Sequence, residues 1–551
     1  MIRSPTPDVC IVGAGPCGAL IAATLAEGGH DVVVLEAGER FDLGKNERRQ
    51  EIGLRTDPQT EIWNMGGERD AFTVSGGHSY ALNERRVKGI GGSTLHWGAT
   101  VPRFHPEDFE MQSRYGVFED WPISYDELEP YYLQAEREMG AAGAPSPFGG
   151  HRSGSFPMDP HPFSYSDHIF EHACEDLGIE LHHLPRAINS EHFDDRSACA
   201  GYGTCNPVCP SGAKYTATVH IDRAEAAGAT VFAETPVQRL KHDDTGDHIE
   251  RVIVMHEGEE RALEADLFVL AAGAIENPRL LLLSTSGQYP DGIANSSGLV
   301  GRRFMEHVAI RAQGRIDEPT RQHLIGFGTS QTQQFYGYDE GPKGSILITP
   351  SNTAGSSPLG MALEPRSNVG TLLGGEIPSA ESWGDAIVER SEQEMHGLLA
   401  ISGGTQIRAD PDNRIALDDS KTDDHGNPVP DVRIGVDDHA IEVLGHAEEI
   451  MLDILDATGA YDLTTLFAPE NAFFTNHQTG TTRMGEDPAT SVVDPNLQAH
   501  DVSNLYITGG STFVTGGPAN PTLTMAAVSL RLAAHLDRVL TGSGAAQRVP
   551  S

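Results

Sequence analysis

The chain has 551 residues, 79 acidic against 39 basic, with a formal net charge of -40 and 38% hydrophobic residues. This length and apolar content can bury a large core and fit several structural units of a globular protein. The charge excludes nucleic acid and anionic membranes as partners, because their phosphates would be repelled. Lysine occurs only as Lys45, Lys88, Lys214, Lys241, Lys343 and Lys421. Excess carboxylate with so little lysine predicts a halophilic surface, although an ordinary acidic enzyme shares the trend. No apolar run approaches the ~18 residues of a spanning helix, and Met1–Pro7 lacks an apolar signal region. A soluble protein without direct membrane insertion is expected.

From Asp8 the chain reads as a buried strand (Val9 to Val12), a glycine turn, an alanine-rich helix to about Glu27 and a strand from Asp31 to Leu35. The turn, Gly13-Ala14-Gly15-Pro16-Cys17-Gly18, is G-x-G-x-x-G between strand and helix. There Gly13 permits the tight turn, Gly15 lets backbone approach a pyrophosphate, and Gly18 lets the helix pack closely on the strand. The phosphates would sit at the positive helix N-terminus. Glu36 ends the second strand, where a carboxylate accepts hydrogen bonds from a ribose diol. The motif alone admits FAD or NAD and argues against NADP.

Six cysteines are too few for a disulfide scaffold. Cys10, Cys17 and Cys174 read as small buried hydrophobes. Cys199, Cys205 and Cys209 stand in a Gly/Pro-rich loop with Pro210. Their spacing admits an iron–sulfur cluster, a disulfide with one cysteine spare, or a zinc site completed by a histidine such as His220.

Downstream, Leu267 to Leu270 is a strand entering Ala271-Ala272-Gly273, with a helix expected after Pro278. Asn504 to Thr508 is another, entering Gly509-Gly510, and a helix from about Pro521 to Leu540 closes the chain. These units predict an α/β fold: a discontinuous Rossmann-like nucleotide-binding domain on a mostly parallel sheet, interrupted by an α+β substrate-binding domain. The expected boundaries are 1–310, with a cysteine loop at about 195–215, then 311–469 for the substrate domain, then 470–545. Ala141 to Pro162 and Asp410 to Pro430 read as loops.

Four further segments carry a family resemblance. They are Gly91-Gly92-Ser93-Thr94-Leu95-His96-Trp97-Gly98, Asp120-Trp121-Pro122-Ile123-Ser124-Tyr125, Ala271 to Pro278, and His477-Gln478-Thr479-Gly480-Thr481 through Asn520-Pro521-Thr522. Together they resemble the glucose–methanol–choline (GMC) flavin oxidoreductases over nearly the whole chain. The cysteine spacing is similar to that of the bacterial FAD-dependent sugar dehydrogenases, whose substrates include glucose, gluconate, sorbitol and fructose.

The resemblance implies FAD, held by Gly13, Gly15, Gly18, Glu36, Gly91, Gly92, Ser93, His96, Val237, Gly273, Gly510 and Thr522. His96 is either linked covalently to the flavin, as in some relatives, or packed against it. The resemblance further implies a 3Fe–4S cluster on Cys199, Cys205 and Cys209, and a catalytic pair of His477 and Asn520. Oxidising an alcohol removes a hydroxyl proton and a carbon-bound hydride, and a histidine neutral near pH 7 suits the proton. An asparagine cannot be the base, but it can hold the hydroxyl in place.

The reaction implied is oxidation of a CH–OH group of a neutral sugar or polyol, with electrons leaving through the cluster to an external acceptor. The alternatives are an oxygen-using oxidase and a flavin electron-transfer subunit without alcohol chemistry. The resemblance also implies a small subunit and a cytochrome as partners, and a location that is cytoplasmic or reached by export with a signal-bearing subunit.

Overall fold

The computed structural model describes residues 6–320, 325–338, 344–351 and 396–547, except 45, 54, 56 and 57, together with residue 385. The first strand, β1 (Val9–Val12), is buried along its whole length, as the unbroken apolar run requires of a central parallel strand. After the glycine turn comes α1 (Pro16–Glu27), which starts on Pro16 with its fixed φ and buries most of its alanine-rich surface. Then follow β2 (Val32–Leu35), β3 (Thr230–Phe232), an antiparallel meander of β4 (Val237–His242), β5 (Ile249–His256) and β6 (Glu259–Glu264), and β7 (Leu267–Leu270).

A helix, α2 (Gly273–Leu283), starts five residues earlier than Pro278 would suggest. Proline inside a helix removes one N–H donor and leaves the carbonyl four residues back without its partner. Here that carbonyl, Ala274 O, accepts the Thr481 hydroxyl at 2.9 Å. A side chain distant in sequence therefore repairs the defect.

The second unit is built on β8 (His307–Arg315), β9 (Leu347–Pro350) and β10 (Leu398–Gln406). Next come the hairpin β11 (Arg414–Thr422) and β12 (Pro428–Arg433), α3 (Asp438–Ala457) and β13 (Tyr461–Thr465). The segment 410–430, expected to be a loop, is thus largely paired strand. The half of β11 beyond Asp418 is exposed and polar, so apolar alternation could not reveal it. The chain returns as β14 (Leu505–Ile507) and ends in α4 (Thr522–Gln547).

The parallel sheet has strand order β14-β7-β1-β2-β3, so a strand near the C-terminus pairs with one at 267–270. This is the Rossmann-like fold expected. Over it stands an antiparallel sheet in the order β9-β10-β8-β13, with α3 packed behind. Among the described residues, no helix is long and apolar enough to cross a membrane.

Candidate active site

A cavity of about 690 Å³ lies between the parallel sheet and the antiparallel sheet. On its dinucleotide side the glycine turn has the geometry its motif demands. Gly13 has φ +105°, and a Cβ there would lie 2.7 Å from the Ala271 carbonyl oxygen. A Cβ on Gly18 would meet Gly13 O, so α1 can rest on the turn only without a side chain at that position. Gly91 donates its N–H to Ala14 O at 3.0 Å. A Cβ on Gly92 would come within 2.8 Å of Gly15 Cα.

Glu36 is buried and accepts N–H bonds from Ala14 at 2.9 Å and Gly38 at 3.0 Å. Burial raises its carboxyl pKa, opposed by those donors. It therefore braces the turn as well as facing the cavity. Gly13, Gly15, Glu36, Gly92, Ser93, His96, Val237, Gly273, Gly510 and Thr522 all line this cavity, whereas Gly18 and Gly91 stand behind it. Backbone that crowds out any Cβ, at the N-terminus of a helix and beside a carboxylate, fits a dinucleotide with its pyrophosphate and ribose. Burial, together with the nearby Lys214 ammonium, pulls His96 down to about 4, so its ring is neutral.

An ion network that the sequence did not reveal borders the same side. Glu276 lies 2.5 Å from Arg86, 3.2 Å from Arg279 and 3.3 Å from Lys88. Its carboxyl stays well below the usual range, because these three cations outweigh the cost of burial. Arg279 reaches on to Asp423 at 2.6 Å, in the turn of the β11–β12 hairpin. Asn427 of that turn donates to Gln238 beside Val237 at 2.5 Å. The two units are therefore pinned together over the cavity.

On the substrate-domain side, His477 and Asn520 meet: Asn520 Nδ2 lies 2.9 Å from His477 Nε2, and both face the cavity. His477 Nδ1 lies 2.8 Å from Thr475 Oγ1 and 2.9 Å from His307 Nδ1. His307, only 3% exposed at the head of β8, has its Nε2 at 3.2 Å from Gly516 O. Burial keeps His477 well below the usual histidine range, helped by His307, and pulls His307 down to about 4.

Beneath them Glu306, 0% exposed, accepts the His477 backbone N–H at 2.6 Å and the Tyr80 hydroxyl at 2.5 Å. Burial raises it to about 7. Sequence reasoning missed Glu306, His307, Thr475 and Tyr80. The available signal was a Glu-His pair at the head of an apolar strand, where an unpaired charge is costly.

Cys10, Cys17 and Cys174 are buried thiols, pushed up by that burial. Cys199, Cys205 and Cys209 are also free, and Cys205 lies near the loop that carries His96. Lys214 links the two: its ammonium donates to Cys205 O at 2.8 Å and Trp97 O at 3.1 Å. Burial raises the Cys209 thiol pKa, but the hydrogen bond with Ser211, backbone donors and the Lys214 charge outweigh it and leave it lowered. His220 bonds Tyr215 and Glu138 through its two ring nitrogens, which leaves neither for a metal. Among the described residues, no three His, Cys, Asp or Glu groups are arranged to hold a single metal ion.

Comparison with known proteins gives the family. Models of the GMC oxidoreductase family match residues 69–309 and 409–529, and a model of an NAD(P)-binding Rossmann-like domain matches residues 11–58. The chain is 34% identical to the fructose dehydrogenase large subunit of Gluconobacter japonicus, over 96% of this chain and 97% of that one. The chain belongs to the GMC oxidoreductase family.

It is 27% identical to the 2-methyl-1,2-propanediol dehydrogenase of Mycolicibacterium austroafricanum, over 96% of this chain and 95% of that one. A formate oxidase variant from Aspergillus oryzae has the same fold, with a TM-score of 0.66 at 16% identity, covering 98% of this chain and 99% of that one. This GMC protein is an FAD-dependent oxidoreductase acting on CH–OH donors.

Proposed function

We propose that this GMC oxidoreductase is a dehydrogenase for a neutral sugar or polyol, with His477 as its base and Asn520 as its substrate-orienting partner. The observation that carries the reading is the His477–Asn520 contact on the cavity wall, in surroundings that keep the imidazole neutral. Bound in this cavity, FAD supplies the two-electron acceptor for the substrate's carbon-bound hydride.

The chain's own part is the proton. A substrate hydroxyl entering between the two side chains donates to His477 Nε2, and Asn520 Nδ2 turns its N–H to the hydroxyl oxygen. The hydroxyl proton ends on His477 Nε2 as the carbon–oxygen bond becomes a carbonyl. Positioned base catalysis of this kind contributes about 10²- to 10⁴-fold. Replacing His477 by Ala should abolish anaerobic bleaching of the flavin by substrate while FAD stays bound. Near-normal turnover of that variant would remove His477 from the mechanism.

For the electron exit we propose a 3Fe–4S cluster on Cys199, Cys205 and Cys209. A single zinc ion needs ligands converging on one point, whereas a cluster takes one thiolate on each of several separate irons. The support is an all-thiol donor set with Lys214 buried beside Cys205 and Cys209, a cation that would offset the charge of thiolates. The cluster would supply a one-electron route out. Iron and acid-labile sulfide in anaerobically purified protein are the expected result, and zinc without sulfide would refute it.

The similarity to a relative described as a large subunit supports association with a smaller subunit. The charge of -40 supports work at high salt, and unimpaired folding in salt-free buffer would rule that out.

A further inference from the structure

The hydrogen bonds behind His477 form a chain in which each link determines the next. Gly516 O is a carbonyl and can only accept, so His307 Nε2, 3.2 Å away, carries a proton. Buried and neutral, His307 then has a bare Nδ1. That bare nitrogen faces His477 Nδ1 at 2.9 Å, a distance two lone pairs cannot share, so the proton between them belongs to His477. A neutral His477 protonated at Nδ1 has a bare Nε2, the atom that meets Asn520 and the cavity.

We propose that His307 is a positioning residue that sets the tautomer of His477, so that Gly516 O, two rings away, keeps the base's reactive nitrogen unprotonated. The proposal rests on His477 being the base. Thr475 supports the same tautomer more weakly: its hydroxyl donates to His307 O over a long 3.4 Å, which leaves its oxygen, 2.8 Å from His477 Nδ1, to accept. The carbonyl at the start of the chain is itself fixed. Gly516 and Gly517 both donate N–H to Gln406 Oε1 at 2.9 Å. Thr515 receives Trp121 Nε1 at 2.7 Å and donates to Asp108 O at 3.1 Å. Asn520 lies four residues along the same segment, so one turn holds both the tautomer-setting carbonyl and the substrate-orienting amide.

The test compares His307→Leu with His307→Gln in the FAD-loaded protein. Leucine cannot accept from His477, which leaves the Thr475 hydroxyl to hold the proton on Nδ1. Glutamine offers an amide oxygen to His477 and an N–H to Gly516. Loss of the correct tautomer in a catalytic triad costs about 10⁴-fold. With Thr475 as partial substitute, His307→Leu should slow anaerobic flavin reduction roughly 10²-fold. KM should change little, and His307→Gln should restore most of the rate.

Imidazole ¹⁵N NMR reads the tautomer in the unsubstituted protein, independently of turnover and of how any variant folds. His477 should show a protonated Nδ1 and a bare Nε2. A proton on Nε2, or a His307→Leu protein reducing flavin at the normal rate while His477→Ala is inactive, would overturn the inference alone. An active His477→Ala would remove the reading beneath it as well.

Discussion

The two sides of the cavity solve opposite electrostatic problems. On the dinucleotide side the wall carries Arg86, Lys88, Arg279, Glu276 and Asp423, linked at 2.5 to 3.3 Å in one network. On the catalytic side burial holds His477, His307 and, up to about pH 7, Glu306 neutral, while the Arg85 guanidinium bonds Phe474 O and Asn476 Oδ1 rather than the base. The difference follows from what each side must do. A pyrophosphate is a permanent anion and is served by fixed positive charge that internal carboxylates hold in place. A proton acceptor has to stay unprotonated until the substrate arrives, and a formal charge nearby would set its protonation in advance.

The sharpest way to break this contrast is to put charge on the neutral side. In Asn520→Asp a carboxylate replaces the amide 2.9 Å from His477 Nε2. An opposite charge at that range favours imidazolium, which cannot accept a proton. Flavin reduction near neutral pH should fall by about 10²- to 10⁴-fold, the full contribution of a base. The rate should recover partly as pH rises and the imidazolium gives up its proton. A rate within threefold of normal at pH 7 would mean that neutrality on this side is not required.

Removing charge from the other side should cost stability rather than chemistry. Asp423 and Arg279 are 8% and 9% exposed, and their contact joins the β11–β12 hairpin to α2. Asp423→Ala leaves Arg279 its ion pair with Glu276 and its bonds to Pro428 O but removes the facing charge. It should lower the unfolding free energy by about 3 kcal/mol, the low end for breaking a buried pair. Because the pair is buried, the loss should persist in 1 M salt, unlike any effect of the exposed acidic surface. A loss that vanished in salt would mark the contact as a surface pair.

The two sides also differed in how far the sequence disclosed them. The glycine turn was readable because each glycine answers a local steric demand, which Gly13 with its positive φ and Gly18 against Gly13 O both display. Four of the five parallel strands were readable from apolar runs, and Leu505–Ile507 joined the sheet as expected, whereas the short, half-buried Thr230–Phe232 was not read. His477 and Asn520 were named by motif position, and the fold brings them into contact although they are 43 residues apart.

The rest depends on contacts between distant residues that carry no local pattern. The partner of His477 comes from 170 residues away and the carbonyl behind it from 209 further on. The local chain points to a helix only after Pro278, because the repair of its defect by Thr481, 207 residues from Ala274, is invisible there. The hairpin at 414–433 was missed because its outer strand is solvated, so tertiary pairing rather than burial holds it.

The smallest predicted effect separates two neighbours on one strand. Burial raises Glu306 from 4.5 to about 7, so between those values the folded protein holds a proton that the unfolded chain has released. Its contribution to stability is complete at low pH and lost as pH rises through that window, a slope of about -1.4 kcal/mol per pH unit where only one state is protonated. Burial lowers His307 from 6.5 to about 4, so there the unfolded chain holds the extra proton. Its contribution is complete above 6.5 and lost as pH falls towards 4, an equal slope of opposite sign.

Between pH 4.5 and 6.5 the two nearly cancel in the intact protein. Glu306→Gln should therefore make the unfolding free energy rise more steeply with pH in that range, by up to about 1.4 kcal/mol per unit, and His307→Gln should make it rise less steeply by a similar amount. Denaturant titrations at several pH values measure both slopes. If both substitutions tilt the curve the same way, one of the two groups is charged in the folded protein, and the catalytic side is not the neutral environment on which its chemistry depends.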